Sequence, residues 1–312
     1  MKKIDMHTHT TLSDGTSIPR QLVEGASQKG IEFLCITDHD IASDSLIPLI
    51  QSVWIATVPS VEISSQNSYN DGKSLHLTYY SQGTSTQIQD IISNTRRSKK
   101  DLIALQLFHL QKLWFYIDIE EFYTQLKDMG RQDDGLSKYD IARYISSKQE
   151  NLILLWELWC TTWGKVHTQF YTRCLKRKWE LYGTYAVEVD DYEPEVEVLG
   201  QIRASQDAIL SIAHPNFSFS REGITGFLEI FPQYKELWIN GVEINTRATK
   251  KWVEAVLSLK DRFPEVQITF WSDCHQIGKP DEKHGDLGFS NAHIDSQVVS
   301  YEFAKFCERV QI

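Results

Sequence analysis

Short apolar runs and amphipathic stretches alternate over the first eighty residues. Lys2 to Met6 predicts a first strand. Pro19 to Gly30 predicts a helix with Leu22, Val23 and Ala26 on its apolar side and Gly30 as its C-cap. Glu32 to Thr37 is a brief apolar run of the kind a buried strand shows. Ser43 to Ser52 predicts a second helix, Trp54 to Val61 a strand leading into Glu62, and Ser74 to Tyr80 a strand carrying His76.

The pattern changes at Thr86. From there to about Gly183 the chain is rich in Leu, Ile, Trp, Tyr, Lys and Gln, and no proline falls between Pro59 and Pro194. Ile88 to Leu113, Ile119 to Met129, Lys138 to Ser147 and Leu152 to Leu181 all favour helix. This predicts a mostly helical insertion at 86–183. Its aromatics (Trp114, Phe115, Tyr116, Trp156, Trp159, Trp163, Trp179) are expected to pack it onto the main domain. Alternation resumes near Tyr185. Strands are expected at Ala208 to Ala213, Gly241 to Asn245 and Val266 to Trp271. Helices are expected at Glu195 to Ala204, Ile224 to Phe231, Lys250 to Arg262 and Ser296 to Val310. One α/β domain, 1–85 joined to 184–312 and interrupted by the insertion, explains this order better than two successive domains.

Composition narrows the class. The chain has 312 residues, 41% of them hydrophobic, enough to bury a sizeable core. No apolar run approaches the roughly 20 residues that span a bilayer. The two N-terminal lysines are not followed by the apolar segment of a secretory signal. Five scattered cysteines read as reduced thiols in a cytoplasmic protein. A net charge of -10 argues against a broad duplex-DNA surface, but not against an anionic substrate, because divalent cations reverse the local sign of a site.

The chemistry gathers at strand ends. In Ile4 to Gly15, IDMHTHTTLSDG, His7 and His9 are two apart and share one face of an extended chain. Two imidazoles on one face begin a transition-metal site. Asp14, His39, Glu62, His76, His214, Asp273 and His275 fall at the ends of predicted strands or close to them. Six of the ten histidines therefore belong to this set. His109, His167, His284 and His293 stand apart from it, with His284 at most near its rim. Imidazole with carboxylate suits Zn, Mn or Fe(II), and nine donors suffice for two or three divalent ions. Asp5 and Asp38 read as carboxylates that orient the imidazoles. Lys138, Arg143, Arg221 and Arg247 are candidate phosphate contacts.

Together HTH at 7–9, Asp14, Asp38-His39, Glu62, His76, His214-Pro215 and Asp273-Cys274-His275 resemble, in order and spacing, the PHP (polymerase and histidinol phosphatase) superfamily. That resemblance implies a distorted (β/α)7 TIM-like barrel with a metal cluster at its C-terminal mouth and a helical cap. It implies that His7, His9, Glu62 and Asp273 hold one ion. Glu62, bridging, would hold a second with His76 and His214, and Asp14, His39 and His275 a third. Two departures bear on substrate: Lys138 and Asp140 stand where an Arg-x-His pair is usual, and Trp271 replaces a small residue before Ser272-Asp273. The expected activity is hydrolysis of a small phosphomonoester, such as a nucleotide or nucleoside bisphosphate, by a hydroxide bridging the metals. The alternatives are a 5′-3′ exonuclease on short single-stranded nucleic acid and a non-catalytic metal-binding module.

Overall fold

The computed structural model describes residues 3–66, 74–131, 135–161, 165–176, 179–187, 193–281 and 284–312. These form two compact units, one of 1–93 with 193–312 and one of 94–192. In the first, β1 (Ile4–Asp5) pairs in parallel with β2 (Phe33–Leu34). A five-stranded sheet runs in the order β3 (Ser60–Ser65), β4 (Leu75–Tyr80), β5 (Ile209–Ile212), β6 (Gly241–Asn245), β7 (Gln267–Trp271). Every residue of β3, β5, β6 and β7 is buried, including the polar Glu62, Ser211, Glu243 and Thr269, which therefore need partners inside the fold. Ile63, Leu77, Ile212, Val242 and Phe270 lie in the main core. Leu22, Val23 and Ala26, the apolar side of helix Pro19–Gln28, pack with Ile36 and Ile50 in a smaller one.

β5, β6 and β7 are parallel, but β4 is antiparallel to both of its neighbours. The reversal places the beginning of β4 beside the ends of β3 and β5. His76 is in register with Ser64, and its carbonyl accepts from the Ala213 N–H at 3.0 Å. Backbone bonds also reach between the two sheets. The Met6 N–H donates to the Phe270 carbonyl at 3.0 Å, the Asp273 N–H to the His7 carbonyl at 3.1 Å, and the Asp40 N–H to the Glu62 carbonyl at 2.8 Å.

Two expectations are corrected. The third strand begins at Ser60, not at Trp54. Trp54 sits in the left-handed region (φ 63), and Pro59 has no N–H to give to a ladder. Glu62 therefore lies inside the strand, not at its end. The expected helix from Leu152 to Leu181 is broken: Leu152–Glu157 stops where Trp159 turns left-handed (φ 57), and helix resumes at Val166–Phe170.

The second unit has its own apolar core, with Ile103, Leu107, Phe122, Ile141, Phe170 and Cys174 at its centre. Of the aromatics expected to be covered, Phe115 joins this core. Trp114, Trp156 and Trp159 are each more than 70% exposed, and Tyr116 and Trp179 are also exposed. Trp163 lies outside the described residues. Among the described residues no helix is long and apolar enough to cross a membrane.

Candidate metal centre

All nine donors named above converge in the first unit. His7 Nε2 lies 2.9 Å from His9 Nε2 and 3.1 Å from Glu62 Oε2. His9 Nε2 is 3.2 Å from both Glu62 Oε2 and Asp273 Oδ1, and His7 Nε2 is 3.8 Å from the latter. Ligands about 2.1 Å from one tetrahedral ion stand about 3.4 Å apart, so this quartet brackets the spacing a cation needs. The other oxygen of Glu62, Oε1, is 3.1 Å from His76 Nδ1 and 3.0 Å from His214 Nε2, and those two nitrogens are 3.2 Å apart. Asp14 lies 3.6 Å from His39 Nε2 and 3.6 Å from His275 Nδ1.

The backbone is strained where it delivers these groups. His214 (φ 35) and Asp273 (φ 57) are both left-handed, a conformation that non-glycine residues keep when the surroundings impose it. Gly15 has no Cβ for a reason: one built there would come within 2.5 Å of the His9 carbonyl oxygen. The loop closes so tightly that Asp14 folds back on His9.

Electrostatics in the metal-free chain are dominated by mutual neutralisation. Burial alone would raise the Glu62 carboxyl, but the imidazoles of His39, His7 and His76 hold it well below the carboxylate range. Asp273 is likewise raised by burial and brought well below its ordinary value by His275, His9 and His7. Burial would lower His7, yet Glu62 and Glu243 raise it to about 10. It thus keeps a proton that a cation would have to displace. His39 goes the other way: burial depresses it more than Glu62 and Asp14 restore. His39 Nδ1 is buried without a hydrogen bond although Glu62 Oε2 is 3.3 Å away. An orphaned ring nitrogen facing a carboxylate oxygen fits a divalent cation, as do the His and carboxylate donors around it. Among the described residues, four trios bring ligand atoms within 4.8 Å of one another: His7–His9–Glu62, His9–Asp14–His39, His9–Asp273–His275 and His39–Glu62–His76.

Asp5 and Asp38 do not bond imidazole side chains. Asp5 accepts from the Ser272 N–H at 3.0 Å, the Ser272 hydroxyl and the Gly288 N–H, so it pins the turn after β7. Asp38 accepts from the Thr10 N–H, the Thr10 hydroxyl and the Ser13 hydroxyl, fixing the loop after β1. The group that orients His7 is Glu243, buried in β6 and 3.2 Å from His7 Nδ1. Glu243 also accepts from the Thr78 hydroxyl at 2.7 Å and the His214 N–H at 3.2 Å. Sequence reading passed over it because GVEIN looks like an ordinary core strand. The available signal was a carboxylate in the middle of a five-residue apolar strand, which must have partners if it is buried. His284, set apart in the sequence, lies with its Nε2 3.7 Å from Asp273 Oδ2.

The candidate phosphate contacts are divided between the two units, Lys138 and Arg143 in the second and Arg221 and Arg247 in the first. Lys138 Nζ donates to the Val187 carbonyl at 2.9 Å. Arg143 is exposed and lines an open, mostly apolar cavity of about 900 Å³ with Trp156 and His167 in the second unit. Arg221 is exposed in the first unit, and Arg247 donates to the Asp281 carbonyl at 2.8 Å. Asp140 is engaged in holding its helix. It accepts from the Ser137 N–H at 2.8 Å and pairs with buried Arg131 at 2.9 Å. Trp271 is fully buried and stacks on His7, ring centroids 4.7 Å apart, so the indole forms a wall behind that ligand.

The family profile described as PHP domain matches residues 5–247. The chain is 23% identical over 147 residues to the phosphoribosyl 1,2-cyclic phosphate 1,2-diphosphodiesterase of Eggerthella lenta, a match covering 46% of this chain and 54% of that protein. It is 35% identical over 78 residues to a 5′-3′ exoribonuclease of Haemophilus influenzae, covering 24% of this chain and 27% of that one. The matches thus span about half and about a quarter of these relatives. Among solved structures, a Bifidobacterium adolescentis protein whose name proposes a metal-dependent phosphoesterase superposes with a TM-score of 0.71 at 17% identity, over 98% of this chain and 96% of that one. An amidohydrolase of Chromobacterium violaceum, with bound sulfate and no metal, superposes with a TM-score of 0.69 at 16% identity, over 97% and 96%. At such identities the likeness is one of fold.

Proposed function

The chain belongs to the PHP domain family, and from that premise we propose that it is a metal-dependent phosphoesterase acting on a small phosphorylated substrate. The observation that carries the reading is Glu62, whose two oxygens face two different sets of imidazoles at hydrogen-bond distance. On this reading His7, His9, Glu62 and Asp273 hold one divalent ion, Glu62 with His76 and His214 a second, and Asp14 with His39 and His275 a third. Manganese, iron(II) and zinc all suit these donors. Such ions supply positive charge to offset the phosphoryl oxygens and bring the pKa of bound water toward neutrality. The protein's part is to fix the donors. Glu243 holds His7 Nδ1 so that Nε2 faces Glu62 and His9. Trp271 backs the same ring, and Ser13 sits 3.3 Å from His9 Nδ1. Cys274 packs in the smaller apolar core with Leu22 and Ile36, where burial pushes its thiol up to about 12.

The two sheets read as one distorted (β/α)7 barrel with residues 86–183 inserted as a helical cap. The backbone bonds linking Met6 to Phe270 and Asp40 to Glu62 support closure of the ring. A nucleotide, a nucleoside bisphosphate or a cyclic phosphodiester of similar size suits this site, and the Eggerthella relative supports the last. The second reading is an exonuclease trimming short single strands from the 5′ end, which the 35% match to the Haemophilus enzyme favours.

The test is product release from phosphomonoesters, cyclic phosphodiesters and short 5′- and 3′-phosphorylated oligonucleotides with Mn, Zn or Fe(II), beside a His7→Ala/Asp273→Ala double variant. Metal-dependent turnover of small esters, lost in the variant, is expected. Turnover of oligonucleotides alone selects the exonuclease. Metal uptake with no turnover of any substrate would leave a binding module.

A further inference from the structure

His284 is held by a structure built for it. Asp281 Oδ2 accepts from His284 Nδ1 at 2.8 Å, and Asp281 Oδ1 accepts from the His284 backbone N–H at 2.8 Å. The Asp281 N–H in turn donates to the His284 carbonyl at 3.0 Å. Arg247 secures Asp281 itself by donating to its carbonyl at 2.8 Å. On the other side, the Gly285 N–H donates to the Ser272 carbonyl at 2.7 Å, an approach so close that a Cβ on Gly285 would stand 2.7 Å from that oxygen. His284 is thus clamped against the end of β7, and its ring stacks on His275 with centroids 4.0 Å apart and planes 28° apart.

The clamp decides which nitrogen is available. With Nδ1–H given to Asp281, Nε2 presents its lone pair, and it faces Asp273 Oδ2 at 3.7 Å. A lone-pair nitrogen and a carboxylate oxygen do not attract each other. A cation between them satisfies both, and 3.7 Å is close to the roughly 3.4 Å separation of two ligands on one ion. A carboxylate behind the far ring nitrogen is also how ligating imidazoles are commonly held. Meanwhile Asp273 Oδ1 faces His9 at 3.2 Å and His275 at 3.1 Å, so the two oxygens of Asp273 are directed to different partners, as those of Glu62 are.

We propose that His284, oriented by Asp281, is a tenth ligand of the cluster and gives Nε2 to a divalent ion that it shares with Asp273 Oδ2. The assignment rests on the metal-centre reading above. It makes Asp281 and His284 part of the centre and has Arg247 position Asp281 instead of contacting phosphate.

The experiment is Co(II) titration of the chelated full-length chain, followed by visible absorption and by bound-metal analysis, for wild type, His284→Ala and Asp281→Asn. Circular dichroism checks the fold of each. Wild type is expected to load. His284→Ala should lose one equivalent, or bind one equivalent at least tenfold more weakly, with a changed d–d band that added imidazole restores. Asp281→Asn, which keeps the ring but weakens its hold, should fall between. Spectra and stoichiometry identical for wild type and both folded variants would overturn the assignment and leave the nine-donor centre standing. Failure of wild type to take up cobalt, zinc or manganese would instead remove the metal centre itself.

Discussion

Glu62 and Glu243 are two buried glutamates with opposite roles. Glu62 divides its oxygens between two sets of imidazoles, whereas Glu243 faces the far side of His7 and accepts from Thr78 and the His214 backbone. Glu62→Gln should therefore abolish high-affinity uptake of more than one ion, read by metal analysis after dialysis. Retention of the full complement would count against a bridging role. Glu243→Gln should leave the ligands in place but misdirect His7, weakening metal binding by about 10–100-fold, the usual effect of losing such a partner. Competition with a chelator measures it, and an unchanged affinity would contradict the assignment. The nine side chains that converge stood out in the sequence because most of these histidines and acids gather near the ends of apolar runs, although Glu62 and His76 lie inside their strands. Glu243 did not, because its partners come from β4 and from the segments after β1 and β5. Asp5 and Asp38 stood out in the sequence as acids, but their role did not. Their partners, Ser272 and Gly288 for Asp5, Thr10 and Ser13 for Asp38, are brought to them only by the fold, and both acids fasten loops.

At the level of elements, the loop after β1 and the helix beginning at Lys138 make separate predictions. Gly15→Ala would drive a methyl group into the His9 carbonyl, so the loop must open and carry Asp14 away. A stability loss of about 1–3 kcal/mol is expected from such overpacking, with weaker metal uptake, measured by thermal unfolding and metal analysis. A variant with wild-type melting and metal content would show the loop to be looser than described. Asp140→Ala removes a helix cap and leaves Arg131 buried without its carboxylate, at a cost of about 3 kcal/mol or more by denaturant unfolding. A change below about 1 kcal/mol, the size of a cap alone, would contradict that role. Most helices and strands were visible as apolar periodicity. The orientation of β4 was not, since a strand reads the same in either direction, and only the ladder shows that reversal brings His76 to the centre. The start of β3 was misplaced because Ile55 to Val58 is as apolar as the strand that follows Pro59.

Across the whole molecule, charge couples folding to metal. Without a cation, His7 has its pKa raised to about 10 by Glu62 and Glu243 against the opposing effect of burial. A base raised in the folded state stabilises it fully below the unfolded value, about 6.5. That stabilisation is lost as pH rises through about 10. The chelated chain should therefore melt at progressively lower temperature as pH rises from about 7 to about 10. The metal-loaded chain should show no such decline, because the ion has replaced the proton, and should instead lose metal and stability on acidification as protons compete for the imidazoles. Parallel slopes with and without metal would contradict the coupling. The most direct measurement is product release from phosphomonoesters and cyclic phosphodiesters by the chelated full-length chain during stepwise return of Mn, with bound metal counted at each step. Release that is absent in the chelated chain, rises as the ions load and fails to appear in Glu62→Gln is the predicted result. Release that is undiminished in the fully chelated protein, or a metal-saturated protein that releases no product from any of these esters, would contradict it.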